Sequence, residues 1–531
     1  MANATPFVSD LSELLTKHVL QQPERIAVGT SDLATVITYR QLDALVRSAM
    51  AQLSSFGLKR GSTVALVSDN SVEFVLGLLA IASSGARVAP LNPALTPTEL
   101  TTRLSQLSAQ GVLVPRHLAN KLEFADSISE NFSRWIIDVE SSRSLHELQI
   151  VDHKGLTPPH LATEPDISID RDDVALLLFT GGTTGAPKLV PWTHRNIAAS
   201  IENISSGYAL SPKDATLIVM PLFHGHGLMA GLLSTLGSGG SAYLPSTGAF
   251  SAHLFWPDVV RLGVTWYTAV PTIHRILINR ASKEYPGRQL VPLRFIRSCS
   301  APIDEELAAA TAATFGAPLI SAYGMTETCH QASSTPLTTN GVNRTSSVGL
   351  ATGVEIRIVG EDGRDVPPGS VGEIWVRGST VTRGYLNNPE ANAASFIDGW
   401  YRTGDLGSKD ADGYILLKGR LKEMINRGGE KISPRDIDEV LLSHPKVLEA
   451  ASFGEPDAMY GEVVQAAVIL RPGMQATEAE LEDYCRMRLS GFEVPQRIYI
   501  VADFPRTAKG SVNRHALAEQ FADLKTSISG K

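Results

Sequence analysis

The amino-acid sequence predicts an α/β protein of at least two domains, and three observations lead to that prediction. Apolar runs typical of buried strands alternate with helical patterns in the early part of the chain. From about residue 348 the pattern changes to short strands separated by Gly and Asp turns. The length of 531 residues also exceeds what a single hydrophobic core normally supports.

The alternation is clearest between residues 38 and 91. The segment 38–53 predicts a helix, because Thr38 and Gln41 have the spacing of a capping box. The apolar residues of this segment share one helical face: Leu42, Leu45, Val46, Met50 and Leu53. The following segments predict a strand at 62–70, a buried helix at 73–85 and a strand at 86–91. Helices that connect consecutive strands are typical of parallel sheets.

The second half of the chain predicts a β unit followed by a small C-terminal domain. The segments 348–363, 369–378 and 412–420 have the pattern of an antiparallel sheet. After Arg420 the helical patterns return, with helices predicted at 434–444 and 478–489 and strands at 447–454 and 463–470. We therefore expect a boundary within residues 419–423, which divides the chain into domains 1–421 and 422–531.

Composition excludes several functional classes. Apolar residues make up 43% and charged residues 19% of the chain, as in ordinary globular proteins. The net charge of -8 argues against nucleic acid as a partner. The three cysteines, Cys299, Cys329 and Cys485, form neither a disulfide framework nor a zinc-binding spacing, and they suit a reducing compartment.

The sequence also predicts a cytoplasmic location without a membrane span. The first residues lack the basic start and apolar run of a signal peptide. The longest apolar stretch, around 74–82, is too short to cross a bilayer. The final Ser-Gly-Lys differs from the Ser-Lys-Leu that directs peroxisomal import.

The segment 175–188 carries the strongest local signal for phosphate binding. An apolar strand, Ala175–Phe179, leads into Thr180-Gly181-Gly182-Thr183-Thr184-Gly185, and Lys188 follows. The glycines let the backbone approach a polyphosphate, the threonines supply hydroxyl donors and the lysine supplies charge. The spacing differs from that of a Walker loop. The alternative interpretation is a polar turn that joins a strand to a helix.

Four further motifs follow in order along the chain: SAYGMTET at 321–328, YRTGD at 401–405, GRLKEMINRGGEKISP at 419–434 and PRTAKGSVNR at 505–514. Each is weak alone, since Tyr323 could be a buried aromatic and Glu327 a surface acid. Together the motifs resemble those of the adenylate-forming superfamily, which includes acyl-CoA synthetases, peptide-synthetase adenylation domains and firefly luciferase. The resemblance covers nearly the whole chain.

The resemblance implies an architecture and a reaction. The expected fold is a large N-terminal domain of two parallel αβ subdomains plus a β unit, followed by a small mobile α+β C-terminal domain. The expected enzyme is an acid–thiol ligase that uses ATP and Mg²⁺ to convert a carboxylic acid into an acyl-AMP, and then transfers the acyl group to coenzyme A. The implied partners are therefore small molecules, and the sequence leaves open a monomer or a homodimer.

The resemblance also implies roles for individual residues. Thr180 to Lys188 would cover the β- and γ-phosphates, and Tyr323, with the backbone of Ala301 and Pro302, would enclose adenine. The other implied roles are the α-phosphate contact for Thr326, the Mg²⁺ ligand for Glu327, ribose binding for Asp405 and Arg420, the hinge for Lys422, the pantetheine channel for Gly428 and Gly429, and a family-typical catalytic position for His224.

Three positions depart from the family pattern. Gly181 stands where relatives usually have serine, and Leu189 stands where a glycine usually follows the lysine. The third departure affects chemistry, because Ser511 occupies the position of the lysine that bridges the acid and the α-phosphate. Lys509 lies two residues earlier and keeps the same facing on an extended loop, so it is our candidate for that role.

Polar residues in the expected acid pocket predict a short dicarboxylic acid. His226, Ser298 and His330 would lie unpaired in a fatty-acyl tunnel, at a cost of about 1–3 kcal/mol each. The stretches around them resemble plant and fungal oxalyl-CoA synthetases, in which histidines and a serine receive the distal carboxylate. Oxalate is therefore the leading candidate, followed by malonate and by short- or medium-chain monocarboxylates. Both histidines could instead be structural, and Arg297 could pair with Asp304 or Glu305.

Two other functional classes remain open at this stage. The acyl group could be loaded onto a carrier-protein thiol, although the ungapped run between residues 401 and 423 argues against the insertion that such enzymes often carry. A nucleotide-binding relic without catalysis would explain Ser511. Luciferase-type oxidation fits poorly, because it requires a larger and less polar pocket.

Overall fold

The protein is described from a computed structural model, which covers residues 10–127, 132–141, 146–158, 168–180, 187–337, 347–506 and 512–529. The strands are β1 Ile26–Thr30, β2 Val36–Thr38, β3 Thr63–Val67, β4 Arg87–Leu91, β5 Gly111–Pro115, β6 Ser133–Ser141, β7 His146–Asp152, β8 Val174–Phe179, β9 Leu189–Thr193, β10 Ala215–Leu217, β11 Ser241–Leu244, β12 Trp266–Ala269, β13 Phe295–Ser298, β14 Leu319–Tyr323, β15 Ser333–Ser334, β16 Leu350–Ala351, β17 Glu355–Val359, β18 Gly372–Arg377, β19 Phe396–Ile397, β20 Trp400–Lys409, β21 Ile415–Arg420, β22 Ile425–Arg427, β23 Glu430–Ile432, β24 Val447–Asp457, β25 Gly461–Leu470 and β26 Ile498–Ile500.

The α-helices are α1 Thr16–Gln21, α2 Tyr39–Ser55, α3 Val72–Ser83, α4 Pro97–Leu107, α5 His194–Gly207, α6 Ser234–Gly237, α7 Ala252–Leu262, α8 Pro271–Glu284, α9 Glu305–Phe315, α10 Pro389–Ser395, α11 Pro434–Leu442, α12 Glu478–Arg486 and α13 Arg514–Ser529. A π-helix spans His226–Leu233, and 3-10 turns include Thr326–Thr328 and Leu421–Glu423. Among the described residues, no helix is both long and apolar enough to cross a bilayer.

Two largely parallel sheets form the body of the protein. The nine-stranded sheet has the order β16-β15-β14-β13-β12-β10-β11-β1-β2, and the seven-stranded sheet has the order β7-β6-β5-β3-β4-β8-β9. Helix α3 is apolar on nearly all sides and contributes to a core cluster that draws on strands of both sheets. Such a helix must be buried, as the sequence predicted. The capping box of Thr38 and Gln41 at the start of α2 is confirmed.

A smaller antiparallel sheet follows, with β17-β18-β20-β19 in order and β21 beside β20. Its core residues, including Ile356, Ile374 and Val376, pack in one cluster with Tyr323, the last residue of β14. The predicted β unit is therefore confirmed, and it packs against the end of the nine-stranded sheet.

A fourth sheet lies in the C-terminal part, in the order β23-β22-β25-β24 with β26 beside β25. Helices α11 and α12 share its apolar core, since Ile437, Leu441 and Leu481 pack with the strand residues. Ser433 and Arg435 donate to the carbonyl oxygens of Lys418 and Leu417 in β21 at 2.6 and 2.8 Å. The 3-10 turn between β21 and β22 coincides with the expected boundary near residue 421, which stays a prediction.

The segment after β8 differs from one sequence interpretation. Strand β9 pairs antiparallel with β8, and helix α5 begins only after β9. The segment between Thr180 and Lys188 therefore joins two strands of one hairpin rather than a strand and a helix. Leu189 is a buried first residue of β9, so an apolar side chain at this position has a packing role.

Candidate active site

The candidate site lies where three neighbouring parallel strands end. Strands β12, β13 and β14 are paired in parallel register, so their carboxyl ends share one edge of the sheet. The ends of β13 and β14 and the segments that follow them contain seven of the predicted site residues, between Ser298 and Pro302 and between Tyr323 and His330. Open α/β sheets typically bind ligands at this edge.

Asp405 joins β20 of the small sheet to β14. Its carboxylate accepts a hydrogen bond from the Tyr323 hydroxyl at 2.7 Å and one from Arg420 Nε at 3.0 Å. Asp405 and Arg420 face each other in the β20–β21 ladder, which explains the pairing. Burial raises the pKa of the Asp405 carboxyl, and the charge of Arg420 opposes that rise. Three predicted nucleotide residues are thus brought together.

Glu327 lies in a second polar group close to β9 and α10. The side chain is 8% exposed, and its Oε1 accepts a hydrogen bond from the Tyr385 hydroxyl at 2.8 Å. The ammonium nitrogen of Lys188 lies 4.4 Å from the centre of the Tyr385 ring, which is a cation–π distance. Burial and the Glu327 carboxylate raise the pKa of Tyr385, so its hydroxyl stays a donor. We call these six residues, Lys188, Tyr323, Glu327, Tyr385, Asp405 and Arg420, the nucleotide region.

Two hydrogen bonds close the base of the predicted phosphate loop. Thr180 N donates to the Lys188 carbonyl at 2.9 Å, and Lys188 N donates to the Thr180 hydroxyl at 3.1 Å. Gly181, Gly182, Thr183, Thr184 and Gly185 lie outside the described residues, as do Lys509 and Ser511. Thr326, the predicted α-phosphate contact, accepts through its carbonyl a hydrogen bond of 2.7 Å from Trp192 Nε1.

The backbone at this edge adopts conformations that side-chain-bearing residues rarely take. Ser300, Cys329 and His330 have φ values of +71°, +51° and +83°. Such left-handed residues cost on the order of 1–3 kcal/mol each and often occur at functional sites. Gly324 makes the turn before His330 possible, because a Cβ there would lie 1.8 Å from the His330 carbonyl oxygen. The turn directs the His330 ring towards His226.

His226 begins the π-helix, whose first residues are the end of the segment PLFHGHGL at 221–228. π-Helical turns are rare and are frequent at functional sites. The next residue, Gly227, lies so close to the preceding loop that a Cβ would be 2.4 Å from the Met220 carbonyl oxygen. The His226 and His330 rings stack with centroids 5.2 Å apart. The two predicted acid-binding histidines are therefore neighbours.

A buried arginine organises the surroundings of these histidines. Arg297 is 0% exposed. Its guanidinium donates to the Tyr208 hydroxyl from Nε at 2.9 Å, to Thr268 Oγ1 from Nη1 at 3.0 Å, and from Nη2 to His330 Nε2 at 3.0 Å and Gln331 Oε1 at 2.9 Å. We call the set Tyr208, His226, Thr268, Arg297, His330 and Gln331 the acid cluster.

The partners of Arg297 carry no negative charge. Asp304 pairs instead with Arg275 at 2.8 Å and caps helix α9, so the alternative in which Arg297 pairs with Asp304 is wrong. Within the described part of the chain, no ion pair of Arg297 with Glu305 or any other carboxylate occurs. Arg297 is therefore a buried cation with only neutral protein partners.

Burial also keeps two histidines of this region, His226 and His274, neutral. Burial lowers the pKa of His226 well below its ordinary value, and the nearby His330 and Arg297 lower it further. Burial lowers the pKa of His274, on α8, to about 4. The positive charge of the acid cluster therefore resides on Arg297.

Ser298 and Ser300 differ in their surroundings. Successive side chains of a strand point to opposite faces, so Ser298 leaves β13 on the face opposite to Arg297. Its hydroxyl is buried and has no hydrogen-bond partner among the described residues. Ser300 Oγ, in contrast, lies 3.0 Å from His226 Nδ1. The structure thus joins Ser300, rather than Ser298, to the histidine pair.

The remaining predicted residues lie around this centre. Ala301 is half-buried and Pro302 is exposed in the segment that follows β13, and His224 is half-buried with its ring 4.7 Å from that of Phe223. Lys422 is exposed in the 3-10 turn. Gly428 and Gly429 form the exposed turn between β22 and β23, with φ of +61° and +96°. Backbone conformation alone therefore requires glycine at both positions.

Sequence reasoning missed several residues of the site. Tyr208, Thr268 and Gln331 bond directly to Arg297, and Tyr385 bonds to Glu327. Tyr208 is separated from Arg297 by 89 positions, so no local spacing could reveal the contact. The signal that was available is the polar residue Thr268 inside the otherwise apolar segment of β12.

Comparisons with known proteins agree with this geometry. The sequence matches the family described as AMP-binding enzyme over residues 15–386 and the AMP-binding enzyme C-terminal domain over residues 436–511. An oxalate–CoA ligase from Arabidopsis thaliana is 42% identical, covering 97% of this chain and 99% of the relative. An oxalate–CoA ligase from Saccharomyces cerevisiae is 36% identical over 94% and 95% of the two chains, and a sulfoacetate–CoA ligase from Cupriavidus necator is 35% identical over 97% and 98%.

Solved structures show the same fold. ATP-bound MatB from Rhodopseudomonas palustris has a TM-score of 0.85 and 27% identity, covering 97% of this chain and 99% of that one. The o-succinylbenzoate–CoA synthetase MenE from Bacillus subtilis, in complex with ATP and magnesium, has a TM-score of 0.81 and 29% identity over 95% and 99%. The predicted fold class, a large α/β part with parallel sheets and a smaller C-terminal part, is confirmed.

Proposed function

Because this chain belongs to the AMP-binding enzyme family and is an ATP-dependent acid–CoA ligase, we propose that the acid it activates is a short dicarboxylic acid, with oxalate as the leading candidate. ATP, Mg²⁺ and CoA are the cosubstrates and cofactor of such ligases. The near full-length similarity to CoA ligases disfavours both the carrier-protein alternative and the non-catalytic relic.

The observation that carries the proposal is the uncompensated charge of Arg297. Burying a cation without an anionic partner is costly, because the low-dielectric interior replaces water poorly. A carboxylate bound beside the acid cluster would supply the missing negative charge. A plain alkyl chain would not, and His226 and His330 would then lack an anionic partner. The identity to two oxalate–CoA ligases supports the same substrate.

A dicarboxylic acid has one carboxylate for recognition and one for reaction. We assign the distal carboxylate to the His226–His330 pair, at the end of the strands. The unpartnered hydroxyl of Ser298 is a further candidate donor, although it leaves β13 on the opposite face from Arg297. The reacting carboxylate would then point towards the nucleotide region, beyond Thr326.

The nucleotide region suits ATP. Asp405 can exchange the hydrogen bonds from Tyr323 and Arg420 for bonds from ribose hydroxyls, and Lys188 lies at the base of the predicted phosphate loop. Glu327 fits a Mg²⁺ that is bound together with ATP, since Mg²⁺ in such sites uses one or two carboxylates plus phosphate oxygens. In the described part of the chain, no group of three or more His, Cys, Asp or Glu residues is arranged for a resident metal.

The reaction proceeds in two steps. An oxygen of the acid attacks the α-phosphorus of ATP, pyrophosphate leaves, and an acyl-AMP forms. The CoA thiol, as its thiolate, then attacks the acyl carbon, and AMP leaves. Lys188 and Thr326 would hold the phosphates for the first step, and Mg²⁺ on Glu327 would stabilise their charge. Lys509, proposed for the first step, lies outside the described residues.

The second step requires a route for the pantetheine arm. We propose that Gly428 and Gly429 line this route after the C-terminal part turns about Lys422, as in the expected two-state behaviour of this superfamily. The exposed position of Lys422 in the short turn between β21 and β22 supports a hinge there. His224 remains a proposed catalytic residue on the loop before the π-helix.

The proposal is tested by acid-dependent AMP release in the presence of ATP, Mg²⁺ and CoA. Oxalate, malonate, sulfoacetate, acetate and butyrate form a suitable series, because they vary the distal group from carboxylate through sulfonate to methyl. We expect oxalate to give the highest kcat/KM. A preference for butyrate would refute the dicarboxylate proposal. A preference for sulfoacetate would mean that the site binds a distal anion but that the substrate is a sulfonate rather than a dicarboxylate.

We further propose that the enzyme works in the cytoplasm. Cys299, Cys329 and Cys485 are all buried as free thiols, which suits a reducing compartment. Fractionation of the source cells should recover the activity with cytosolic proteins, and recovery in an organelle fraction would contradict this location.

A further inference from the structure

We propose that Arg297 is a positioning residue that sets the tautomers of His226 and His330, so that both rings are neutral and carry their hydrogen on Nδ1. The inference rests on the proposed function, because the distal carboxylate is taken to lie beside the His226–His330 pair, where it would accept from His330 and from the Ser300 hydroxyl that His226 holds. It goes beyond that function because it assigns the arginine an indirect role. Three steps, which identify the donor and the acceptor of successive hydrogen bonds, lead to it.

The first step concerns His330. A guanidinium has only donors, so every atom that it contacts at hydrogen-bond distance must accept. Arg297 Nη2 lies 3.0 Å from His330 Nε2, and this nitrogen therefore carries no hydrogen. A neutral imidazole with a bare Nε2 must be protonated at Nδ1.

The second step extends the argument to His226 through Thr268. The Thr268 hydroxyl accepts from Arg297 Nη1 at 3.0 Å and lies 2.6 Å from His226 Nε2. Thr268 is buried, and His226 Nε2 is the acceptor available for its hydroxyl hydrogen among the described residues. If His226 Nε2 carried the hydrogen and donated to Thr268 instead, the hydroxyl hydrogen of Thr268 would be buried without an acceptor, which is unfavourable. The Thr268 hydroxyl therefore donates, and His226 also carries its hydrogen on Nδ1.

The third step gives the direction of the resulting chain of hydrogen bonds. His226 Nδ1 donates to Ser300 Oγ at 3.0 Å, and the Ser300 hydroxyl hydrogen is then directed onwards. Ser300 is exposed and holds a left-handed backbone with φ +71°, a strained conformation for a residue with a side chain. All donors in the chain from Arg297 through Thr268 and His226 to Ser300 point away from the cation. An anion at its end would accept a hydrogen bond strengthened by the polarised chain.

This role differs from direct charge recognition. Four of the five guanidinium hydrogens are used within the protein, on Tyr208, Thr268, His330 and Gln331. Lysine would keep the positive charge but lacks the planar fork that reaches several acceptors at once. A lysine variant therefore separates the two roles.

The first test needs no substrate. The full chain, labelled with ¹⁵N-histidine, is studied by NMR without ligands, and the signals of His226 and His330 are assigned from His226→Gln and His330→Gln spectra. Both histidines are expected to show the Nδ1–H tautomer. Thr268→Val keeps Arg297 and should release only His226, leaving the His330 signal unchanged. Nε2–H signals from both rings in the unsubstituted protein would overturn the inference.

The second test measures KM and kcat with oxalate and butyrate for Arg297→Met, Arg297→Lys and the control Arg294→Met. The control removes an arginine of the same segment that is already paired with Asp214 at 2.5 Å. Both Arg297 variants should raise the oxalate KM by about ten- to a hundredfold, with much smaller changes in kcat and in the butyrate KM. The control should leave the ratio of the two KM values unchanged.

The outcomes separate this inference from the proposed function. If Arg297→Lys left the oxalate KM unchanged, Arg297 would act through its charge alone. That result would refute the positioning role. If the enzyme activates no dicarboxylic acid, the proposed function fails while the NMR signals still report the tautomers. If Arg297→Met does not fold, Thr268→Val decides the question through the His226 signal and the oxalate KM, which should rise.

Discussion

The nucleotide region and the acid cluster both bury charge at the same edge of the sheet, but they balance it in opposite ways. In the nucleotide region, Asp405 has a cationic partner in Arg420, and Glu327 accepts from a tyrosine hydroxyl. In the acid cluster, Arg297 has neutral partners. The charges of the nucleotide region are balanced by other groups of the protein. The positive charge of the acid cluster has no anionic partner in the protein, and a substrate can supply one.

This difference teaches how one site can bind two ligands with different demands. Every acid substrate reacts with the same nucleotide. Substitutions in the nucleotide region should therefore change kcat/KM by the same factor for all acids. The acid cluster should affect only those substrates that bring a second negative charge. The predictions below test this separation, beginning with the largest expected effect.

Glu327→Gln should lower acyl-AMP formation from every acid by about 10²–10³-fold, because a neutral amide stabilises the polyphosphate charge poorly through Mg²⁺. AMP affinity should change little, since AMP carries no β- or γ-phosphate. Pyrophosphate exchange and AMP titration measure the two quantities. Tyr385→Phe is the matched control, because it removes a hydrogen bond to Glu327 but keeps the carboxylate. Equal loss of AMP binding would show that Glu327 does not act through the metal.

His226→Ala and His330→Ala should each reduce the ratio of kcat/KM for oxalate to that for butyrate by about ten- to a hundredfold, since a hydrogen bond to a charge contributes roughly 1.5–3 kcal/mol. Ser298→Ala tests the remaining predicted contact in the same assay. An unchanged ratio in all three variants would remove the distinction between the two regions and return the acid pocket to an unassigned short-chain site.

The stability of the protein should fall as the pH is lowered from about 6.5 to about 4, because His274 has a folded pKa of about 4 and an unfolded pKa near 6.5. In this window the unfolded chain binds a proton that the folded protein excludes, and His274 alone would contribute on the order of 3 kcal/mol. Urea unfolding at several pH values measures the effect. His274→Gln should flatten the profile, whereas the exposed His253→Gln should not. Identical slopes for the two variants would contradict the prediction.

Arg420→Gln should have the smallest effect, a loss of ATP affinity below about tenfold, because the Arg420 side chain is 54% exposed and water screens its charge. The variant should leave the oxalate-to-butyrate ratio unchanged, since Arg420 contacts Asp405 in the nucleotide region. Fluorescence titration with ATP and the acid assay check both expectations. A shifted ratio would mean that the two regions are energetically coupled.

The fold was largely predictable, because its signals are local. The periodicity of the early segments predicted α2, α3, β3 and β4, and the Gly and Asp turns predicted the antiparallel sheet of β17, β18 and β21. The hairpin of β8 and β9 was missed, since the second strand is short and directly precedes α5. Its pairing with β8 forms across the intervening loop, which local propensity does not encode.

The sequence by itself determined the family and the reaction type, and it predicted every residue of the nucleotide region except Tyr385, because ordered motifs carry those roles at readable spacings. Only the tertiary structure decided how Arg297 is bonded. Its partners Tyr208 and Thr268 lie 89 and 29 positions away, and His330 and Gln331 follow 33 and 34 positions later. The structure also joined Ser300 to His226 across 74 positions. Hydrogen-bond geometry depends on atoms that meet only when distant strands align, so it decides charge balance and tautomers after the chain has folded.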